Sequence, residues 1–350
     1  MRIFLIFCFI FWGNTYLYAQ DISTLEHDAA ILLNQLRSSK EDSKTDQLHL
    51  EFKKSMANLV KDKGFFEYAL KELQIADLKS ADQNVRILTW NVEYSDLSHT
   101  YGGFILKKDE GRQKITVTEL VDQLDAYTVK PEGVIDAKNW YGSIYYKIID
   151  FAYQGKTCYL LFGYDAGTTM SNYKVLDVLS FAGQSPKLGA AVFKDAKQVK
   201  KRVVFEYANM ATLSLEFEPK RLRIVFDHLS PESPALEGVY SYYFPDMSYD
   251  AYVYDVDREI WQLEQDVVAT NPSDVGEKYF YSLDKKTGQL EKNRLKKDWI
   301  NPVDPDNLSN GQHQAALPQK STEEFPAVSK KDRTKWWQFK RRRNYNPESY

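Results

Sequence analysis

A chain of 350 residues with 43% hydrophobic and 14% aromatic content is long enough for one large domain or two ordinary ones, and its 24 tyrosines favour sheet over a helix bundle. The formal charge of −3 is unevenly spread: Lys330–Arg343 carries eight cations against one aspartate, so the residues before it sum to −9 once Glu348 is set aside. An acidic body argues against nucleic acid as a partner, whereas a basic end can meet an anionic surface.

The first residues address the compartment. Arg2 precedes the apolar run Ile3–Trp12, and a polar stretch ends at Leu17-Tyr18-Ala19-Gln20. A positive start, a short apolar core and a small residue at the cut predict a signal peptide over 1–19 and an exported, periplasmic or envelope-associated protein. The run is too short for about 30 Å of hydrocarbon, an unprocessed anchor helix being the rival reading. Cys8 lies inside that leader, so the mature chain keeps Cys158 alone and can form neither an internal disulfide nor a thiolate metal cage. In the apolar run Thr157–Phe162 it reads as a buried strand residue rather than a catalytic thiol.

Residues 20–80 read as a helical segment. Leu25, Ala29, Leu32 and Leu36 recur at helical spacing behind Ser23 as N-cap, and Leu48, Phe52, Met56 and Leu59 make a second stripe. Phe66, Leu70 and Leu73 continue it past Gly64, giving two or three helices. From 81 to 292 the period changes to that of strands. Val85–Val92 and Gly103–Lys107 are strands joined by a loop holding His99 and Gly102-Gly103, and Ile115–Tyr127 reads as a short amphipathic helix. Beyond Trp140, strand signals come every eight to twelve residues between turns such as Gln154-Gly155-Lys156 and Glu218-Pro219-Lys220. The fold class is therefore α+β, with an N-terminal helical segment packed on a mainly antiparallel β-meander domain that closes as a sandwich, barrel or partial propeller. Residues 293–350 lose periodicity and are expected to be a flexible basic tail.

The richest chemistry lies in Arg221–Tyr254. A strand with Leu222, Ile224 and Phe226 on one face turns through Asp227-His228-Leu229-Ser230-Pro231 and returns as an aromatic run broken by Pro245, so that acids surround one histidine.

Trp140-Tyr141-Gly142 with Tyr145-Tyr146, Arg86–Asn91, Lys174–Phe181 (KVLDVLSF), Val204–Ala211 (VFEYANMA), Val225–Ser233 (VFDHLSPES) and Tyr243–Tyr252 (YFPDMSYDAY) resemble a family of exported proteins from Bacteroidota-type bacteria to which no activity is assigned. The likeness runs over about 85–265. It implies export and a shared β-rich body, and carries over no activity and no catalytic residue.

Four constellations were weighed. Asp227-His228 places a carboxylate beside an imidazole, as general-base sites do, but adjacent residues on a strand face opposite ways, and a histidine in a Ser-Pro turn also serves backbone groups. Asp255, Asp257 and Glu259 have the spacing that starts a calcium loop, without its glycine at six and glutamate at twelve, so a solvated face or turn caps are the simpler reading and no metal or cofactor is expected. Tyr240, Tyr242, Tyr243, Phe244, Tyr249, Tyr252 and Tyr254 beside acids are the mix that stacks on sugars, and equally ordinary sheet packing. Trp336, Trp337 and Phe339 among the cations of the tail have the composition of a membrane-surface ligand, or of a solubilising terminus. The sequence holds no phosphate loop, dinucleotide fingerprint, nucleophile elbow or H-E-x-x-H. The expectation is an exported non-enzymatic binding or envelope-structural protein, its ligand, a glycan or an envelope protein, meeting Asp227, His228, Asp246, Asp250, Tyr243 and Tyr249. The alternative is a hydrolase using His228 with acidic partners in a pocket near Asp227, Asp246 and Asp250.

Overall fold

The computed structural model describes residues 21–109, 111, 114–123 and 130–267, together with the backbone of strands at 279–283 and 290–294. Residues 1–19, where a signal peptide is expected, lie outside the described residues, as does the expected tail 293–350 beyond its first two residues, which end a strand. The fold is α+β: two helices at the N-terminus and three stacked, mainly antiparallel sheets.

Helices α1 (Ile22–Ser38) and α2 (Asp42–Leu59) cover one side of a four-stranded meander, β1 (Ala76–Lys79), β2 (Val85–Glu93), β3 (His99–Asp109) and β4 (Lys114–Val121). The α2 stripe Leu48, Phe52, Met56 and Leu59 is buried as its spacing predicts. The α1 face is rotated: Glu26, Ala30 and Leu33 are buried, while Leu25 and Leu32 only flank the core. Ser23 is not the N-cap; the helix starts after Asp21, and Ser23 Oγ donates to the Asp21 carboxylate in the first turn. Among the described residues no helix is long and apolar enough to cross a membrane.

The third apolar stripe does not become a helix. Residues 60–75 form turns and bends: local backbone bonds such as Phe65 N to Asp62 O and Tyr68 N to Gly64 O hold the first part, and two buried charges take up remaining groups. The Glu26 carboxylate accepts from the amides of Lys71, Glu72 and Leu73 and from the Tyr68 hydroxyl, while Arg86 donates to the carbonyls of Phe65, Phe66 and Tyr68. Amides and carbonyls met by these side chains need no continuation of the local turns into a helix. Arg86 is itself held by a bidentate pair with Asp77, at 2.7 and 2.6 Å.

Two other expectations in this region are corrected. Gly102 and Gly103 lie inside β3, opposite Trp90 and Thr89, because the Trp90 ring occupies the space a side chain at 102 would need. Ile115–Val121 is strand, not helix: Ile115 and Val117 join the helix-side core while Leu120 joins the core behind the sheet, a period of two in a β-branched run. Residues 124–129 lie outside the described residues.

The second sheet runs β5 (Ile135–Asp136), β9 (Ser185–Leu188), β8 (Ser171–Ala182), β7 (Lys156–Asp165), β6 (Ile144–Tyr153), and β12 (Val203–Ala208) adds to β8. The third runs β11 (Val199–Lys200), β10 (Phe193–Lys194), β16 (Ile260–Glu264), β15 (Tyr243–Asp255), β14 (Arg223–Pro231), β13 (Leu215–Glu218), antiparallel except for the β10–β16 pair. β17 (Tyr279–Leu283) and β18 (Leu290–Arg294) form a separate hairpin.

Alternate residues of the second sheet feed two cores. Leu161, Val175 and Leu179 pack with Ile87, Ile105 and Leu120 of the first sheet, and Leu160, Phe162, Leu176 and Val178 pack with Ile224, Phe226, Tyr252 and Trp261 of the third. A sheet covered on both faces has no solvent side, which is why Lys156–Phe162 and Lys174–Phe181 read as continuous apolar runs. Cys158 lies in the outer of these cores, and burial pushes its thiol up to about 11, where little thiolate forms.

Candidate functional site at the β14–β15 bulge

The β14–β15 ladder is regular from Arg223↔Val253 to Asp227↔Tyr249, then resumes at Leu229↔Pro245. His228 therefore stands alone opposite the three residues Asp246-Met247-Ser248. Asp246 closes that excursion on itself, its Oδ1 accepting from Ser248 N at 3.0 Å and Ser248 Oγ at 2.7 Å, with Met247 in left-handed backbone at φ 69°. Bulges of this kind re-aim side chains. Here one delivers Asp246 to the imidazole.

His228 Nδ1 is 2.8 Å from Asp250 Oδ2, and Nε2 is 4.0 Å from Asp246 Oδ2, a charge contact rather than a hydrogen bond. Asp250 is buried, and its other oxygen accepts from Asp266 N at 3.2 Å. The hydrogen bond to Asp250 raises the His228 pKa; burial opposes this, and the charges of Asp250, Asp246 and Asp266 add to it. Burial alone would raise the Asp246 carboxyl, yet the Ser248 hydroxyl and amide, the nearby His228 and the Ser230 hydroxyl hold it low. The result is an imidazole held between two carboxylates, which favour its protonated form, and partly open to water.

Of the six residues predicted from sequence, His228, Asp246 and Asp250 come together. Asp227 does not: it accepts from Ser214 N at 2.5 Å beside β13. The Tyr243 ring lies tilted against exposed Tyr240, centroids 4.9 Å apart, and its hydroxyl accepts from Gly238 N. Tyr249 stands across the ladder from Asp227. The aromatic run is divided, since Tyr252 is core and Tyr254 packs on Trp261 with its hydroxyl on the Ala152 carbonyl. The 255–259 acids are turn chemistry: Asp255 caps the amides of Asp257 and Arg258, and Glu259 accepts from Gly155 N. Among the described residues no group of three His, Cys, Asp or Glu side chains has the geometry to hold a metal ion.

A second constellation, missed in the sequence, lies buried between the first two sheets. Lys130 Nζ is 2.6 Å from Asp165, whose carboxylate also accepts from the Tyr101 hydroxyl at 2.7 Å. Burial would raise Asp165, but Lys130 and Tyr101 hold it below the ordinary carboxylate range. Arg202 Nε is 3.0 Å from Asp177, which accepts from the Tyr141 hydroxyl at 2.9 Å. The Tyr141 ring lies within 4.8 Å of Lys130 Nζ and 4.7 Å of the Arg202 guanidinium, joining the pairs through cation–π contacts. One signal was available: Asp177 interrupts KVLDVLSF, and a carboxylate in a fully buried strand requires a partner.

No family model, curated protein or solved structure matches this chain.

Proposed function

We propose that this is an exported, periplasmic or envelope-associated, non-enzymatic binding protein whose ligand is a polyol such as a glycan, held at the β14–β15 bulge. The observation that carries the reading is the Asp246–His228–Asp250 arrangement: the Asp246 carboxylate is part-exposed, so a sugar hydroxyl can donate to it, while buried Asp250 fixes the imidazole beside it. The exposed Tyr240 ring, paired with Tyr243 on the connection between the same two strands, offers an apolar face of the kind that stacks on sugars. Export rests on the leader over 1–19.

A thermal-shift screen of the purified chain against a glycan panel tests this. A ligand at a hundred times its Kd adds about 2.7 kcal/mol to the native state, several degrees in Tm. A saturable shift that disappears in Asp246→Ala and persists in Asp227→Ala is the expected result. A shift that survives Asp246→Ala removes the bulge from the reading, and silence across the panel leaves an envelope-structural role to be pursued by pull-down.

One observation favours the hydrolase as a second reading: an imidazole oriented through Nδ1 by a buried carboxylate is the supporting half of a general-base pair. It predicts turnover of ester or glycoside substrates that His228→Gln abolishes.

A further inference from the structure

A cleft of about 290 Å³ opens elsewhere, between the segment leading into β5 and the run Gln198–Arg202 that ends the β10–β11 hairpin. Glu132 and Gly133 line it from the first segment, and Gln198, Lys200, Lys201 and Arg202 from the second. The two walls are tied together. Arg202 Nη1 donates to the carbonyls of Pro131 and Gly133, the latter at 3.3 Å, and Nε is charge-paired with buried Asp177. The opposite wall is equally fixed: Asp195 accepts from the amides of Lys197 and Gln198 at 2.8 and 2.7 Å and holds Lys200 Nζ at 3.2 Å. Both sides are therefore preorganised before any ligand arrives, which lowers the entropy cost of binding.

The charge of this place runs against the rest of the body. Residues 194–202 (KDAKQVKKR) hold five cations and one carboxylate in a body that is otherwise acidic. Behind the cleft stands Arg202, with only 1% of its side chain exposed, and its buried Nη2 has no hydrogen-bond partner. A buried guanidinium with a spare donor is rare; with Asp177 it makes a neutral pair, so the positive excess of the place comes from the lysines of the run. In front, the Lys201 side chain is exposed, and a Cβ placed on Gly133 would meet no atom within 4 Å, so the wall opposite the lysines is clear. Glu132 leaves one acceptor at the cleft.

We propose that this cleft binds a small polar ligand bearing an oxyanion, a carboxylate or a phosphate monoester. Lys201 is its charge partner, with Lys200, already paired to Asp195, beside it; the Gln198 side-chain amide is a donor, and Glu132 accepts from a hydroxyl of the same molecule. The size agrees with a single small ligand rather than a polymer, being at the low end of ordinary ligand pockets. The site shares no residue with the β14–β15 bulge and stands whether or not that reading holds.

Isothermal titration of the full chain at low salt with inorganic phosphate, citrate and methyl phosphate, none of them a sugar, tests the proposal and separates the two oxyanion sources. The expected result is 1:1 saturable binding of at least one probe, weakened tenfold or more by Lys201→Glu and by Gly133→Leu, and unchanged in His228→Gln. Gly133→Leu is the decisive variant because it fills the cleft without altering any charge, so its effect cannot arise from the basic run Lys330–Arg343. Should Gly133→Leu lower the melting temperature, Lys201→Glu on an exposed side chain serves alone. Binding that both variants leave intact, or no binding of any of the three probes, overturns the proposal.

Discussion

His228 and Asp250 form a 2.8 Å contact in which the carboxylate is buried and the imidazole is partly exposed. The hydrogen bond to Asp250, followed by the charges of Asp250, Asp246 and Asp266, lifts the imidazole above its ordinary 6.5. A base with a raised folded-state pKa contributes stability that is complete below 6.5 and drains away as pH climbs through the folded-state value. The native chain should therefore lose stability above pH 6.5 relative to His228→Gln, and the gap between them should narrow with rising pH. An NMR titration of the His228 ring with its midpoint at or below 6.5 would contradict the clamp.

Asp177 and Arg202 make the opposite kind of pair, since both side chains are removed from water. Deleting one partner of a buried ion pair leaves an uncompensated charge and typically costs about 3–5 kcal/mol. Asp177→Asn should cost on that order in urea unfolding, because it also weakens the acceptor for the Tyr141 hydroxyl. Lys147→Ala removes an ion pair with Glu216 at 3.4 Å between exposed side chains and should cost under about 1 kcal/mol. Equal costs for the two variants would mean that the Asp177 network is not held out of water as described.

The N-terminal helices, the antiparallel β body and many strand positions were legible in the sequence, because the period of apolar residues reports burial directly, whereas the stacking of three sheets was not. The α2 stripe and the strands from Ile144 to Ala182 stand where alternation and turn chemistry place them, whereas β9 (Ser185–Leu188) does not read as a strand in the sequence. Two of the errors share a source, which is that charge can stand in for part of a hydrogen-bond ladder. Glu26 and Arg86 support a turn segment that reads as helix, and Glu26 also rotates the α1 face inward. The site was half legible. An acid-rich turn around one histidine marks the place, but the bulge decides which acids reach it, and nothing in the spacing of Asp227, Asp246 and Asp250 reveals a register shift. Asp177 signals a buried partner, but which cation meets each acid was illegible: Lys130 and Asp165 lie 35 residues apart, and Arg202 and Asp177 lie 25 apart, Arg202 arriving only because β12 pairs with β8.

His49 sits half-buried on α2, where its Nε2 accepts from Trp90 Nε1 at 3.4 Å. Burial, helped by Lys53, lowers its pKa to about 4. A depressed base contributes stability that is present above 6.5 and lost as pH falls toward the folded-state value, since the unfolded chain binds the proton first. The loss between pH 6.5 and 4 is on the order of 2 kcal/mol for this one group. In His49→Gln, which keeps an acceptor for the indole, the acid limb of the stability curve should be shallower by that amount. An unchanged limb would place the acid sensitivity in other groups.

Gly102 gives the sharpest steric prediction. It lies directly across the ladder from Trp90, and a Cβ there would stand 2.4 Å from two atoms of the indole. The ring has no room to retreat, being 2% exposed and packed edge-on against Phe52 at 5.1 Å and tilted against Phe104 at 6.0 Å. Overpacking of a filled core costs about 1–3 kcal/mol, and Gly102→Ala should reach the upper part of that range despite the better strand propensity of alanine. The cause is isolated by a second change. Trp90→Phe shortens the opposing ring, so the double variant should be more stable than the two single costs imply, by 0.5 kcal/mol or more, as coupled neighbours are. Strict additivity would show that the loss comes from the backbone of β3 rather than from the indole.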